Sequence, residues 1–205
     1  DTVAVELDAA YPKSDFKSAS YWDRDTRRLS RMIRDKTFMC PTRRVIKNWE
    51  SKASQKVWTY VFSEPLGLAD NIVKLGTFHG SELPFLFQTY YWIPKLSPFL
   101  DSDKVHRAAV ALQCYWSNFV WNGDPSIVIP ECQNETTNYD FPEWPAFAAS
   151  RTGYETASSY LSLTDAPQMK PLAGATTFAY PDDEVPGSNR CDIFDANSVV
   201  FHNLK

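Results

Sequence analysis

His79 is the residue of this chain best suited to proton transfer. It lies in the stretch LGTFHGSELPFLF, residues 75 to 87, between Gly76 and Gly80, with Glu82 three positions further on. Histidine is the side chain whose ordinary titration falls near neutral pH, so its imidazole can take up and return a proton under mild conditions. Small residues on either side allow a tight backbone turn that carries the ring close to a reacting group. The other two histidines, His106 in a helical pattern and His202 near the C-terminus, have no comparable setting.

The neighbouring segments supply elements that could position such a group. Residues 57 to 62, VWTYVF, place Val57, Thr59 and Val61 on one face and Trp58, Tyr60 and Phe62 on the other. A strand with no polar face suits the interior of a parallel sheet covered by helices on both sides. The polar segment SEPLGLADN follows as a loop and leads to His79. A reactive side chain on a loop beyond a buried strand is where α/β enzymes place their chemistry. Downstream, residues 103 to 121 predict a helix, with Val105, Ala108, Ala109, Leu112, Trp116, Phe119 and Val120 as its buried stripe. Asn122-Gly123-Asp124-Pro125 should end it, since glycine takes a left-handed cap and proline blocks continuation.

The remaining segments carry less chemistry. Residues 1 to 24 read as irregular. A helix is expected from Asp25, with Leu29, Met32 and Ile33 at helical spacing and Arg27, Arg28, Arg31 and Arg34 as a solvated face. Cys40-Pro41 should open a second helix with Val45, Ile46 and Trp49 buried. Four prolines between Asp124 and Phe147 suggest a long surface excursion, YLSL at 160 to 163 a short edge strand, and the rest a wrapping tail.

Composition narrows the function classes. With 205 residues, 43% hydrophobic and 22% charged, the chain can bury a sizeable core. A net charge of -4 with no basic block argues against nucleic acid as a partner. No apolar run approaches the roughly 18 residues of a membrane span. Only 7 glycines are present and no glycine-rich phosphate loop can be written, so nucleotide chemistry is not expected. No metal site or cofactor is expected either. Aromatic residues, at 15%, fit an apolar cleft or a surface that stacks on sugars. The N-terminus, DTVAVELDAAYP, has neither an initiating Met nor a signal-peptide pattern and reads as a product of processing or cutting.

Cys40, Cys114, Cys132 and Cys191 show no C-x-x-C spacing, which leaves disulfides as their expected use. Asn134-Glu135-Thr136 is an N-glycosylation sequon, expected in a polar loop. An even cysteine number together with a sequon points to a secreted, extracellular protein.

Taken in order, several segments resemble the C-terminal part of the type-B carboxylesterase family, which includes cholinesterases and large fungal lipases. They are Phe38-Met39-Cys40-Pro41, VWTYVF, HGSEL at 79 to 83, YWSNFVWNGDPS at 115 to 126 and FPEWPAF at 141 to 147, with CDIFD at 191 to 195 similar to a motif of fungal members. The resemblance implies an α/β-hydrolase fold, a mixed and mostly parallel sheet flanked by helices, with residues 1–205 forming the C-terminal part of a single domain. It implies a Ser-Glu-His triad in which His79 is the general base and Glu82 matches a buried carboxylate just behind it. Phe78, with Tyr90, Tyr91 and Trp92, would either line an acyl or alcohol pocket or pack in the core. The expected substrate is a small-molecule or lipid ester.

The resemblance also implies what lies elsewhere. The G-x-S-x-G nucleophile elbow of the family has no counterpart here. The triad acid of the family precedes the Phe38–Pro41 motif by more than this chain contains. The fold is therefore expected to be incomplete without an N-terminal partner chain carrying the serine and the acid. In cholinesterase-like members the cysteine matching Cys40 pairs with one matching Cys114, leaving Cys132 and Cys191 for the second bridge. Cys114 lies two residues before Trp116, where the family usually has three, and four cysteines allow three pairings. The alternative to an esterase is a catalytically silent relative that uses the same fold as an extracellular binding or adhesion module.

Overall fold

The computed structural model describes residues 2–16, 23–52, 56–65, 76–89, 103–147, 159–171 and 190–197. In chain order the elements are α1 (Thr2–Ala10), a 3-10 turn (Lys13–Asp15), α2 (Arg24–Arg34), a π turn (Asp35–Met39), α3 (Cys40–Lys52) and β1 (Tyr60–Phe62). There follow α4 (Leu83–Leu86), α5 (Asp103–Asn122), α6 (Pro130–Tyr139), β2 (Ser159–Leu163), β3 (Gln168–Pro171) and α7 (Arg190–Asn197). The chain divides into two compact units, one of Asp1–Val57, Ala148–Ser158 and Pro171–Lys205, the other of Trp58–Phe147 and Ser159–Lys170.

In the first unit the N-terminal residues expected to be irregular form α1. Tyr11, just beyond it, is fully buried, and its hydroxyl donates to Asp35 Oδ2 at 2.8 Å. Asp35 is itself buried and paired with Arg34 at 2.6 Å. The Arg190 guanidinium stacks 4.5 Å from the centre of the Tyr11 ring, and its Nε donates to the Ala10 carbonyl at 3.0 Å. The C-terminal segment is thus no loose wrapping tail where α7 is concerned. A disulfide between Cys40 and Cys191 closes the arrangement.

Helix α2 starts at Asp23, whose carboxylate accepts the Thr26 N–H at 2.6 Å. That bond holds the Asp23 carboxyl below its ordinary pKa. Helix α3 opens at Cys40-Pro41 as expected, but α2, the π turn and α3 run on without a break. The π turn ends one residue before Pro41, and the Cys40 N–H reaches back five residues to the Asp35 carbonyl. A widened turn at that point relieves the collision between a proline ring and the carbonyl four residues earlier. The expected apolar stripes are mostly exposed. Leu29, Ile33, Val45 and Trp49 face solvent, and only Ile46 is buried. The basic face is not simply solvated either, since Arg28 is bonded to Asp8 and Arg34 to Asp35.

The second unit is built on α5. Val105, Ala108, Ala109 and Leu112 pack with Phe85, Leu161 and Leu163 in one apolar core. Alanines at 108 and 109 let the helix approach its neighbours closely, which bulkier residues would prevent. Gly123 has φ +67° and donates to the Phe119 carbonyl at 2.8 Å, the left-handed cap expected there. The C-terminal half of the predicted stripe is not buried: Trp116, Phe119 and Val120 are exposed.

The sheet order is β1-β2-β3, and β1 runs parallel to β2 with Tyr60 opposite Leu161 and Phe62 opposite Leu163. Trp58, Tyr60 and Phe62 pack on the core. YLSL is therefore no edge strand. It lies between β1 and β3, and Tyr160 through Leu163 are buried. Residues 124 to 147 are not an excursion. They form α6, held to α5 by a disulfide between Cys114 and Cys132, and then bury Trp144 and Phe147. Ser126 bonds the Trp144 backbone in both directions, at 2.8 Å and 2.9 Å.

Candidate functional site

The histidine turn follows β1 in the chain and leads into α4. Gly76 has φ +63° and Gly80 φ +83°, backbone states that residues with a Cβ rarely adopt. At Gly80 space is not the constraint, because an added Cβ would meet only a Leu83 methyl at 3.8 Å. The two glycines bend the chain on both sides of His79 and leave it exposed at the tip of the turn. The turn is closed internally. The Ser81 N–H donates to the Phe78 carbonyl at 2.9 Å, and the Ser81 hydroxyl accepts the Phe78 N–H at 3.2 Å. Ser81 is buried and engaged as a capping group, which fits a structural role and no nucleophilic one.

Glu82 is half-buried just before α4, and its carbonyl accepts the N–H groups of Phe85 and Leu86 at 3.0 Å and 2.9 Å. Burial, reinforced by the Glu82 charge, raises the Tyr60 phenol above its ordinary pKa, which puts Glu82 electrostatically against β1. Phe78 is 46% exposed and so does not pack in the core. Tyr90, Tyr91 and Trp92 lie outside the described residues, as does His202, and His106 is exposed on α5.

The cysteines pair differently from the cholinesterase-like pattern: Cys40 with Cys191 and Cys114 with Cys132. The one-residue offset of Cys114 rotates its thiol by about 100° around the helix axis, and its partner is on α6. The sequon lies in the helix α6 and not in a loop. Asn134 is exposed, and the Thr136 hydroxyl donates to the Cys132 carbonyl at 2.8 Å.

One buried carboxylate escaped the sequence reading. Glu64, two residues past β1, is 6% exposed and accepts the Asp165 N–H at 2.9 Å. Burial raises its pKa; the Asp165 N–H lowers it, the Asp165 charge raises it, and Lys104 and Arg107 oppose the rise. Arg107 pairs with Asp165 at 3.2 Å. Nothing local in SEP marks this glutamate as buried, because its cover comes from a turn 101 residues later.

Chemically, an exposed imidazole on a glycine-flanked turn can exchange a proton with a hydroxyl brought against it. Among the described residues, no helix is long and apolar enough to cross a membrane. The carboxylesterase family model matches residues 7–178. The structure is similar to that of Aspergillus niger EstA, with 18% sequence identity and a TM-score of 0.64 over 97% of this chain. The match covers 33% of the EstA chain, so this chain spans about a third of that length. With most of its length matched, the chain belongs to the carboxylesterase family and carries part of an α/β-hydrolase fold.

Proposed function

We propose that this chain supplies the general-base histidine, His79, of a secreted serine esterase whose nucleophile and triad acid lie on an N-terminal partner chain. The observation that carries the reading is the exposed His79, held between two left-handed glycines on the turn that follows a parallel strand, in a member of the carboxylesterase family. The neutral imidazole takes the proton of the serine hydroxyl as its oxygen attacks the ester carbonyl. It then returns that proton to the leaving alcohol, leaving an acyl-enzyme. A water molecule, deprotonated by the same imidazole, attacks the acyl carbonyl, and the proton passes back to serine as the acid departs. Two disulfides, an exposed sequon and the family support an extracellular glycoprotein acting on small-molecule or lipid esters.

The test is a fluorophosphonate probe applied to the native enzyme, followed by separation under denaturing, reducing conditions. Label on a companion polypeptide and none on the chain of residues 1–205 supports the reading. No label on a folded, complete protein favours the silent binding module. In the same enzyme, His79→Ala should lower kcat by on the order of 10⁴ or more. A loss below about tenfold would remove His79 from the mechanism.

A further inference from the structure

We propose that Gln113 is a positioning residue for His79, bracketing the short helix that carries the histidine turn. The proposal rests on the reading of His79 as general base, and its test separates the two. Helix α4 has only four residues, far too few to hold its shape alone. Its Leu83 carbonyl accepts the Phe87 N–H at 3.0 Å, and its Phe85 carbonyl accepts the Gln88 N–H at 3.4 Å, a long bond for a helix end. The Gln113 side chain, reaching from α5, donates through Nε2 to the carbonyls of Phe85 and Leu86, both at 3.1 Å. Its Oε1 accepts from Gln88 Nε2 at 3.0 Å. One amide thus makes three bonds to the segment that ends α4.

Two further features make this bracket specific. Gln88 has φ +52°, an uncommon state for a residue with a Cβ, so the chain leaves α4 through a conformation that needs outside support. Gln113 itself sits on a firm base. Leu112 beside it is fully buried, and Cys114 on its other side is bonded to Cys132 of α6. From α4 the linkage continues to the histidine: the Leu83 N–H donates to the Gly80 carbonyl at 3.2 Å, and Ser81 closes back on Phe78. The position of His79 is therefore set through α4 by a side chain of α5.

The full-length enzyme tests this with Gln113→Leu, Gln113→Glu and Gln88→Gly. Gln113→Leu loses all three bonds, and kcat should fall on the order of 10²-fold with KM little changed. Amide hydrogen exchange in residues 78–88 should rise at least about tenfold while α5 and β2 keep their protection. Gln113→Glu retains the acceptor for Gln88 but has no donor, so it should behave like the leucine variant and decides the matter if that variant does not fold. Gln88→Gly spares both donated bonds and should keep kcat within about threefold of wild type. Unchanged kcat in Gln113→Leu, or faster exchange throughout the unit, would overturn the proposal. If His79→Ala stays active, the general-base reading falls, and exchange in 78–88 alone then decides whether the bracket exists.

Discussion

The two units of this chain are held together by different means. The unit around Tyr11 relies on a buried phenol–carboxylate bond, a guanidinium stacked on a ring and the Cys40–Cys191 disulfide, while Leu29, Ile33, Val45 and Trp49 remain exposed. The unit around α5 relies on apolar packing: Phe85, Ala108, Leu112, Leu161 and Leu163 are fully buried in one cluster. Directional bonds and a covalent link specify one arrangement but lose much when a single partner goes. Apolar burial is spread over many contacts and tolerates polar change at its rim. The histidine turn is fastened to the second kind of unit.

The contrast is sharpest at the disulfides. Cys40→Ser removes a bridge spanning 151 residues and should cost about 5 kcal/mol by loop-closure entropy, against about 3 kcal/mol for Cys114→Ser, whose bridge spans 18. Denaturant unfolding of both variants would show whether the longer link dominates; equal costs would mean that loop length does not set the contribution of these bridges. Next in size, Leu161→Ala should cost about 3 kcal/mol as a core cavity, whereas Ile33→Ala should cost less than about 0.5 kcal/mol. A larger loss at Ile33 would show that its face is covered in the whole protein.

Tyr11→Phe should cost about 1 to 2 kcal/mol, because Asp35 stays buried with one bond fewer. Burial and the Asp35 charge push the Tyr11 phenol far up, so this donor persists at every ordinary pH and the cost should be flat from pH 5 to 9. The smallest effect is expected at Glu64. Its folded pKa is raised, chiefly by burial, so the folded state holds the proton more tightly than the unfolded one. Stability from this group is therefore greatest at low pH and declines as pH rises through the raised value. Glu64→Gln should raise Tm at pH 7 and make little difference below the ordinary glutamate range. A lowered Tm at pH 7 would mean that the carboxylate charge stabilises the strand end.

Much of the fold was readable locally. The stripe Val105, Ala108, Ala109 and Leu112 placed α5, and Gly123 marked its end, because a helix repeats every 3.6 residues and a left-handed cap favours glycine. The strand expected over VWTYVF is shorter at its start: Tyr60–Phe62 are in register with β2 and Thr59 and Ser63 bond to its residues, since pairing depends on a partner 101 residues away. Periodicity puts Trp116 and Phe119 on the apolar face of α5 but does not say what lies against it, and both are exposed.

The amino-acid order by itself determined the family and the glycine-flanked setting of His79, both carried by residues a few positions apart. It takes the folded chain to bring Cys40 to Cys191, the Gln113 amide to the Phe85 and Leu86 carbonyls, and the turn at Asp165 over Glu64. The reason is range. Turn geometry and helical spacing are properties of adjacent residues, whereas disulfide partners, side-chain brackets and desolvated charges arise where distant segments come to occupy the same space.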